Sequence, residues 1–339
     1  MKKWNRILAV ALVFVTALGL SACNSQESPT GGDGGGTKKI GYVVAGPDDY
    51  YNVSAQVVEK ECEKLGWEAT VLNSEYNQAK ELSNVEDLIA KDVDGILILV
   101  ANGDSSQRAC KLANDAGVPI VFVASEPNKG EGKPDSVVSA NWTDAGITYG
   151  ELIAEKYPGS KVAIVAGVAG QNISDVVTTS LTDTLKEKDP TSEIVELQYG
   201  EWTRGKALEV TQDILASGKE IDIFFFANEE MCAGGVKALE EAGKNPDDYI
   251  ILSANGKDIG LEMIEQGWLD FTIEFAPTTE AYYAFHALKG LIEGKDVKSV
   301  IDNPGIELTR ENLSDAITWD PEQFCNEDYK QFDLNNIFN

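Results

Sequence analysis

The first residues able to do chemistry lie in the loop 46–52 (GPDDYYN), which carries two carboxylates, two phenols and an amide. The loop follows a short run rich in β-branched residues, 39–45, that Gly46-Pro47 ends as a strand. A helical pattern comes next and ends at Gly66, a favoured C-cap residue. Polar and aromatic side chains at the carboxyl end of a first strand lie where open α/β sheets bind ligands. The loop therefore predicts one wall of a small-molecule site.

The sequence is poor in groups that catalyse reactions. Its single histidine, His286, lies in an apolar helical pattern, 281–292, where a core or boundary histidine is the ordinary interpretation. No cluster of His and Cys ligands and no Ser-His-acid set is recognisable, so zinc and triad chemistry lack their residues. The segment GVAG at 167–170 follows a strand, but no P-loop lysine comes after it. No metal and no cofactor are predicted, and paired-carboxylate catalysis stays open as the enzymatic alternative.

Strand and helix patterns alternate along the chain with short links, which predicts doubly wound parallel sheets. The same rhythm restarts at Asn141. The fold prediction is therefore α/β, with two similar Rossmann-like lobes whose facing strand ends form a ligand cleft. The predicted strands are 39–45, 68–72, 95–100, 119–123, 161–166, 193–198, 221–226, 250–253 and 271–275.

The N-terminal residues 1–22 combine a basic start with an apolar run, 7–20, and small residues ahead of Cys23. This pattern is typical of a secretory signal and is too short for a spanning helix. Leu-Ser-Ala-Cys resembles a bacterial lipobox, which implies cleavage before Cys23 and a diacylglycerol on its sulfur. Ordinary secretory cleavage that leaves a free thiol is the alternative. Residues 23–37 are expected to form a flexible tether, so the mature protein is predicted to be extracytoplasmic and lipid-anchored.

Acidic residues outnumber basic ones by 56 to 28. So negative a surface disfavours nucleic acid and anionic membranes as partners. The length left after the tether favours two domains. The wide spacing of the other cysteines favours buried free thiols, with one disulfide as the alternative. These cysteines are Cys62, Cys110, Cys232 and Cys325.

Five segments carry a family resemblance: 50–67 (YYNVSAQVVEKECEKLGW), 79–87 (AKELSNVED), 94–100 (DGILILV), 228–231 (NEEM) and 237–243 (KALEEAG). With all elements in order from 39 to about 309, the chain resembles the type I periplasmic binding proteins of sugar ABC transporters, most closely the ribose-binding branch. The resemblance implies a three-strand hinge with crossings near 141, 271–275 and 303–308. It assigns 38–141 and about 272–303 to the N-terminal lobe. It assigns 142–271 and about 304–339 to the C-terminal lobe, with 311–339 as a surface tail.

In the first loop the resemblance places Asp49, Tyr51 and Asn52 at ligand-binding positions, where ribose binders use an amide and two phenylalanines. Tyr50 is an added aromatic where relatives have proline. Aromatic faces cover the C–H faces of sugars, and amides or carboxylates satisfy hydroxyl groups. The alternatives are that Asp49 only caps the helix and that Tyr51 is a surface side chain.

In the second lobe the resemblance places Trp202 at a stacking position and Asn228 at a ligand-binding amide. Asn255 stands where relatives usually have aspartate. The tryptophan could instead fill the core, and both asparagines could merely cap helices. Glu229 and Glu230 are expected to stabilise the following helix through its positive end.

Departures from the ribose pattern argue against ribose as the ligand, because two guanidinium groups are missing. The departures are Ala124-Ser125 for an Asp-Arg pair, Asp175 for an arginine, Asn141-Trp142 for an asparagine-bearing turn, and Phe275 beside Glu274 for the hinge glutamine. With Trp142 and Phe275 as further aromatic walls and no positive charge among the candidates, an anionic ligand is disfavoured. A neutral cyclitol, a deoxy or larger sugar, or a nucleoside is favoured, and a cation over the aromatic faces is the alternative.

The predicted function is that of a monomeric substrate-binding lipoprotein of an ABC importer, which captures a small sugar-like ligand by hinge closure and passes it to a membrane permease. A sensory receptor of the same fold, serving chemotaxis or two-component signalling, is one alternative. A glycan-processing enzyme of the cell surface is another. The signal, and the lack of an N-terminal DNA-binding motif, exclude a cytoplasmic repressor.

Overall fold

The computed structural model describes residues 36–326 and 332–339. The predicted signal 1–22, the predicted lipidation of Cys23 and nearly all of the tether 23–37 lie outside the described residues. Within the described part, no helix has both the length and the apolar character needed to cross a membrane.

Twelve strands in the described residues form two six-stranded sheets. The first sheet comprises β1 (Lys39–Val44), β2 (Glu68–Asn73), β3 (Gly95–Leu99), β4 (Ile120–Ala124), β5 (Ser136–Ser139) and β11 (Val300–Asp302), in the order β11-β5-β4-β3-β1-β2. The second comprises β6 (Lys161–Ala166), β7 (Glu193–Tyr199), β8 (Ile223–Phe226), β9 (Ile250–Asn255), β10 (Phe271–Glu274) and β12 (Ile306–Leu308), in the order β12-β10-β9-β8-β6-β7. Strand neighbours are parallel except β10 and β12. The predicted α/β fold with two doubly wound lobes is confirmed.

Ten α-helices of the described residues connect and cover the strands. They are α1 (Asp49–Leu65), α2 (Gln78–Ala90), α3 (Gly103–Ala116), α4 (Trp142–Lys156), α5 (Asn172–Lys188), α6 (Arg204–Ala216), α7 (Glu229–Glu241), α8 (Asp258–Gln266), α9 (Pro277–Ile292) and α10 (Pro321–Asn326). Local sequence sets their ends: Asn77 and Asn102 accept hydrogen bonds from the first amides of α2 and α3. Gly66 and Gly117 close α1 and α3 in the left-handed conformation.

The central strands of both sheets are completely buried, because helices cover both faces. The second lobe concentrates aromatic residues there, with Phe224, Phe225 and Phe226 fully excluded from solvent. Each such side chain stabilises the fold by about 1.5–3 kcal/mol relative to an exposed one. The four cysteines of the described residues are buried free thiols, as the spacing favoured.

From β1 to β12, the chain passes between the two sheets at three places. It leaves the first sheet after β5, returns after β10 to form α9 on β3, β4 and β5, and leaves again between β11 and β12. The sequence analysis did not predict β5, β11 and β12, which have only three or four residues each. The edge pairing of β10 with β12 is antiparallel, because β12 begins at Ile306 opposite Glu274, the last residue of β10.

The C-terminal segment differs from its expected assignment to the second lobe. After β12, the chain runs back to the first lobe, where α10 packs on α1. Phe324 is fully buried against Tyr282 of α9, with ring centroids 5.7 Å apart. Ile337 is also fully buried, and its carbonyl accepts a hydrogen bond from the Lys298 amide at 2.9 Å. Four buried side chains thus hold the segment on the first lobe: Trp319, Phe324, Cys325 and Ile337.

Candidate ligand site

A cleft of about 480 Å³ of atom-free space lies between the two lobes. We call it the aromatic chamber, because four aromatic rings line it from both sides. Its lining residues are Asp48, Tyr50, Tyr51, Trp142, Gln171, Ile173, Val177, Trp202, Ala227, Asn228, Ala254 and Asn255. None of them is a cation, so the chamber offers ring faces, amides and one carboxylate.

The first turn of α1 supplies the wall from the first lobe. Asp48 caps the helix by accepting a hydrogen bond from the Tyr50 amide at 3.1 Å, and it accepts another from the Tyr76 hydroxyl at 2.6 Å. The Tyr50 hydroxyl donates to the buried carboxyl of Glu280. The Tyr50 and Tyr51 rings meet edge to face with centroids 5.6 Å apart. Both tyrosines are therefore held in place before any ligand arrives.

The loop residues that line the chamber are not all those that the sequence predicted. Asp48, not Asp49, is the N-cap and lines the aromatic chamber, and burial raises its pKa. The side chain of Asp49 is 69% exposed and pairs with Lys257 at 2.6 Å. The Asn52 side chain is exposed and donates to the Pro47 carbonyl at 3.2 Å, away from the chamber lining. Tyr50 and Tyr51 thus line the chamber, while the Asn52 side chain bonds to the loop and is not part of the lining.

Gln171 joins the two walls of the aromatic chamber. Its Nε2 donates to the Tyr51 hydroxyl at 3.1 Å across the cleft, and its Oε1 accepts from Trp202 Nε1 at 2.5 Å. The side chain is 2% exposed. One amide therefore connects an aromatic residue of each lobe, and the sequence analysis did not identify it.

Trp202 lines the aromatic chamber from the turn before α6, with a left-handed φ of 60°. Its ring lies directly on the backbone of Gly167, where an added Cβ would be 2.1 Å from Cζ2 of the indole. The GVAG segment, considered above for phosphate binding, therefore makes room for this ring. A non-glycine residue in this conformation costs of order 1–3 kcal/mol, and such strain tends to concentrate at binding sites.

Asn228 follows β8, Asn255 is the last residue of the neighbouring β9, and both line the chamber. Asn228 caps α7 by accepting from the Met231 amide at 2.8 Å, and its Nδ2 donates to the Trp202 carbonyl at 3.4 Å. Asn255 has a φ of 100° and does not cap α8, whose N-cap is Lys257. Among the described residues, the Asn255 side chain has no hydrogen-bond partner. Its amide is thus available to a ligand.

The rings of Trp142 and Phe275 are in contact at the hinge, with centroids 4.2 Å apart and planes inclined by 46°. Only Trp142 lines the aromatic chamber, and Phe275 supports it from a cavity on the other side. The indole N–H of Trp142 is buried without a partner among the described residues. Asp175 is further away: it is half-buried in the first turn of α5 and accepts from the Gly170 amide at 3.4 Å.

A second chamber of about 690 Å³ adjoins the first and shares five of its lining residues. We call it the charged chamber, because its remaining lining includes side chains of both signs: Asp49, Arg204, Glu229, Glu230 and Lys257, together with Thr203 and Trp319. Lys257 bridges the lobes by donating to Asp49 at 2.6 Å and to Glu230 at 2.8 Å. Burial alone would lower the pKa of Lys257, but these two carboxylates outweigh it and raise the pKa.

Three buried carboxyl groups surround the hinge without a cationic partner in the described residues. Burial raises the pKa of Glu229 to about 7 and those of Glu274 and Glu280 to about 8. Glu229 accepts from the Gly256 amide and the Thr272 hydroxyl, both at 2.7 Å, and so fixes the turn after Asn255. Glu229 and Glu230 both lie in the first turn of α7, where the helix-end effect was expected, and Glu229 has this second role in addition. Within the described residues, no His, Cys, Asp and Glu grouping is arranged to hold a metal ion.

Comparison with known proteins fits this architecture. A family model described as a periplasmic binding protein domain matches residues 40–296. The chain is 27% identical over 303 residues to the ribose import binding protein RbsB of Bacillus subtilis, covering 87% of this chain and 97% of that protein. It is 26% identical over 327 residues to a xylitol-binding protein of Mycolicibacterium smegmatis, covering 92% and 88%. A solute-binding protein of Bacillus halodurans, solved with bound myo-inositol, superposes with a TM-score of 0.77 at 23% identity, covering 83% and 97%.

The chain therefore belongs to the periplasmic binding protein family, in its type I sugar-binding class. Family membership gives it a solute-binding role and an extracytoplasmic location. The relatives named above are binding proteins, not enzymes, and RbsB is named for import.

Proposed function

We propose that this protein captures a neutral sugar or cyclitol in the aromatic chamber and delivers it, by closure of the two lobes, to the permease of an ABC importer. The observation that carries the proposal is the composition of the chamber. Tyr50 and Tyr51 from one lobe face Trp142 and Trp202 from the other, and the hydrogen-bonding groups beside them are uncharged amides and Asp48. Closure on a ligand shifts a population between two arrangements of the lobes.

The ligand chemistry follows from the groups that lack partners. A buried donor without an acceptor costs about 1–3 kcal/mol, which a ligand oxygen would recover. The Trp142 indole N–H is such a donor, and Asn255 adds a free amide. Hydroxyl groups of a polyol satisfy both, while its C–H faces pack on the rings. Ribose and xylitol, named for two relatives, are polyols of this kind. The absence of arginine from the chamber lining favours a ligand with more apolar face than ribose.

A binding screen tests the proposal directly. Isothermal titration of the purified mature protein with D-ribose, xylitol, myo-inositol, D-galactose, L-fucose and adenosine should give one tight binder, and that compound should raise the melting temperature by mass action. Small-angle scattering should show compaction with the same compound. A screen without any binder, or binding without compaction, would contradict capture by closure.

The membrane anchor is proposed from the lipobox-like residues at Cys23, with cleavage after residue 22. In cells, the wild-type protein should enter the detergent phase of a Triton X-114 extraction, and mass spectrometry should find diacylglycerol on the first residue. Cys23→Ser should release the protein to the aqueous phase. An unlipidated wild-type N-terminus would remove the anchor from the proposal.

Delivery to a permease, signalling and catalysis have different measurable outcomes. Uptake of the radiolabelled ligand should fall when either this gene or the partner permease gene is deleted, whereas a sensory receptor would change chemotaxis or gene expression and leave uptake intact. The ligand should be recovered unaltered after incubation with the protein, since new products would indicate a glycan-processing enzyme. Light scattering should give the mass of a monomer with and without ligand.

A further inference from the structure

The C-terminal segment reaches the ligand cleft through one side chain. Trp319 lines the charged chamber together with Asp48, Tyr50 and Asn228, although its position in the sequence is far from all of them. Its ring meets that of Tyr50 edge to face, with centroids 5.9 Å apart and planes inclined by 67°. The side chain is thus in contact with a residue that lines both chambers.

The segment around Trp319 is held in place on both sides. The Ile317 amide donates to Glu274 at 2.8 Å, and the Thr318 carbonyl accepts from the Thr278 hydroxyl at 2.9 Å. After Trp319, Asp320 caps α10 by accepting from the Glu322 amide at 2.8 Å. These bonds join the segment to the hinge and to α9, so the position of the indole is defined by the fold and not by a loose tail.

The indole of Trp319 carries a hydrogen-bond donor that the described residues do not satisfy. Trp319 is 6% exposed, and its Nε1 is buried without an acceptor in the described residues. Native proteins satisfy most buried polar groups, and an exception at a cavity wall indicates a missing partner. The ring faces and the N–H of tryptophan together suit a ligand that has an apolar face beside an oxygen acceptor.

We infer that Trp319 is a ligand-contacting residue, and that the charged chamber takes a second polar unit, such as the second ring of a glycoside or disaccharide, attached to the unit bound in the aromatic chamber. The inference rests on the proposed sugar-binding function and extends it to the class of ligand. The two chambers share Asp48, Tyr50, Trp202, Asn228 and Asn255, so they are adjacent, and the two units of one ligand would lie next to each other.

The charges of the second chamber fit a neutral second unit. Lys257 is paired with Asp49 and Glu230, and Arg204 is paired with Glu230 at 2.8 Å. A charged substituent would have to break one of these ion pairs. Hydroxyl groups can form hydrogen bonds to the paired side chains without separating them. The indole N–H of Trp319 then favours a second unit with an oxygen atom that can accept its hydrogen bond.

The test compares one-unit and two-unit probes by isothermal titration. The one-unit probes are D-ribose, xylitol, myo-inositol and D-galactose, and the two-unit probes are melibiose, cellobiose and sucrose. Trp319→Phe keeps a ring against Tyr50 but removes the N–H. We expect it to weaken the best two-unit probe about tenfold, as the loss of one hydrogen bond predicts, and one-unit probes less than threefold. Trp268→Phe, at a tryptophan outside both chambers, is the matched control and should change neither.

A second measurement does not depend on affinity. In a spectrum of ¹⁵N-labelled indole groups, the resonance missing from Trp319→Phe identifies Trp319, and that missing from Trp202→Phe identifies Trp202. The best two-unit probe should move both resonances. If only Trp202 moves, or if Trp319→Phe leaves the ratio of two-unit to one-unit affinity unchanged, the inference is overturned while the proposed function stands. If no probe of either kind binds the wild-type protein, both are overturned.

Discussion

The two chambers of the cleft are built from the same strand ends but with opposite chemistry. The aromatic chamber presents ring faces and amides and is free of cations, whereas the charged chamber has two cations, Arg204 and Lys257, that are both paired with carboxylates. In the first, the cross-lobe link is a neutral amide, Gln171. In the second, it is an ammonium group, Lys257. From this difference we expect the first chamber to supply most of the affinity for a one-unit ligand, while the second joins the lobes through ion pairs and takes the second unit.

The largest effect should come from removing the central ring of the aromatic chamber. Trp202→Ala deletes a stacking face and the donor to Gln171, so affinity for the best ligand of the screen should fall by about 100-fold or more, equivalent to about 2.7 kcal/mol. Isothermal titration measures the loss, and Trp268→Ala in the same lobe is the control. Unchanged affinity would mean that the aromatic chamber is not the site.

A smaller loss should follow from cutting the neutral link while keeping its volume. Gln171→Leu removes the bonds to Tyr51 and Trp202 and leaves two rings less well fixed. Affinity should fall by about tenfold, mainly through faster dissociation, which stopped-flow fluorescence can measure. Gln198→Leu, at an exposed position, serves as the control. An equal effect of both variants would argue against a cross-lobe role for Gln171.

Breaking the ionic link should have a weaker effect, because partly exposed ion pairs contribute little. Lys257→Met removes the contacts to Asp49 and Glu230, and affinity should fall by about threefold at low salt. The difference from wild type should shrink in 1 M NaCl as the charges are screened. Lys206→Met removes an exposed pair outside both chambers and should have no effect. A tenfold loss with Lys257→Met would assign the second chamber a share of affinity equal to the first.

The smallest effect concerns the support behind Tyr50. Burial raises the pKa of Glu280 to about 8, so the folded state retains a proton that the unfolded state releases near the ordinary pKa of 4.5. Its contribution to stability is therefore fully present below about pH 4.5 and is lost as pH rises through about 8. When the pH is raised from 5 to 8.5, the melting temperature of Glu280→Gln should fall by roughly 2–4 °C less than that of the wild type. Glu262→Gln, at an exposed residue of α8, should follow wild type. If the melting temperatures of all three proteins change with pH in the same way, the titration of Glu280 is not the cause of the change.

The sequence was sufficient for the fold and for the general position of the site, because both depend on local patterns. Apolar strands followed by helical spacing predict two α/β lobes, and the strand-end rule predicts the first loop as a wall. The same rule could not choose between two adjacent aspartates: Asp48 adopts the extended conformation of an N-cap, which turns Asp49 toward Lys257. Asn52, in the first turn of α1, is exposed, and its side chain bonds back to the loop.

The residues that escaped prediction depend on tertiary contacts. Gln171 looks like an ordinary loop residue in the sequence, and only the closeness of Tyr51 and Trp202 gives it a role. Trp319 lies in a polar segment beyond the family resemblance, so no pattern joined it to the first loop. The one signal available was the spacing of large apolar side chains from Trp319 to Ile337 in that segment, which is unusual for a free surface tail.

The return of the C-terminal segment also bears on how the protein assembles. The second lobe is formed by one nearly continuous stretch, 142–274, completed by β12. The first lobe is discontinuous: it needs residues before 140, α9 with β11, and finally the segment from Phe324 to Ile337. When the chain emerges from its N-terminus, the second lobe can therefore finish while the first still lacks Phe324 and Ile337. The stretch that completes the core of the first lobe is thus also the one that carries Trp319 to the cleft.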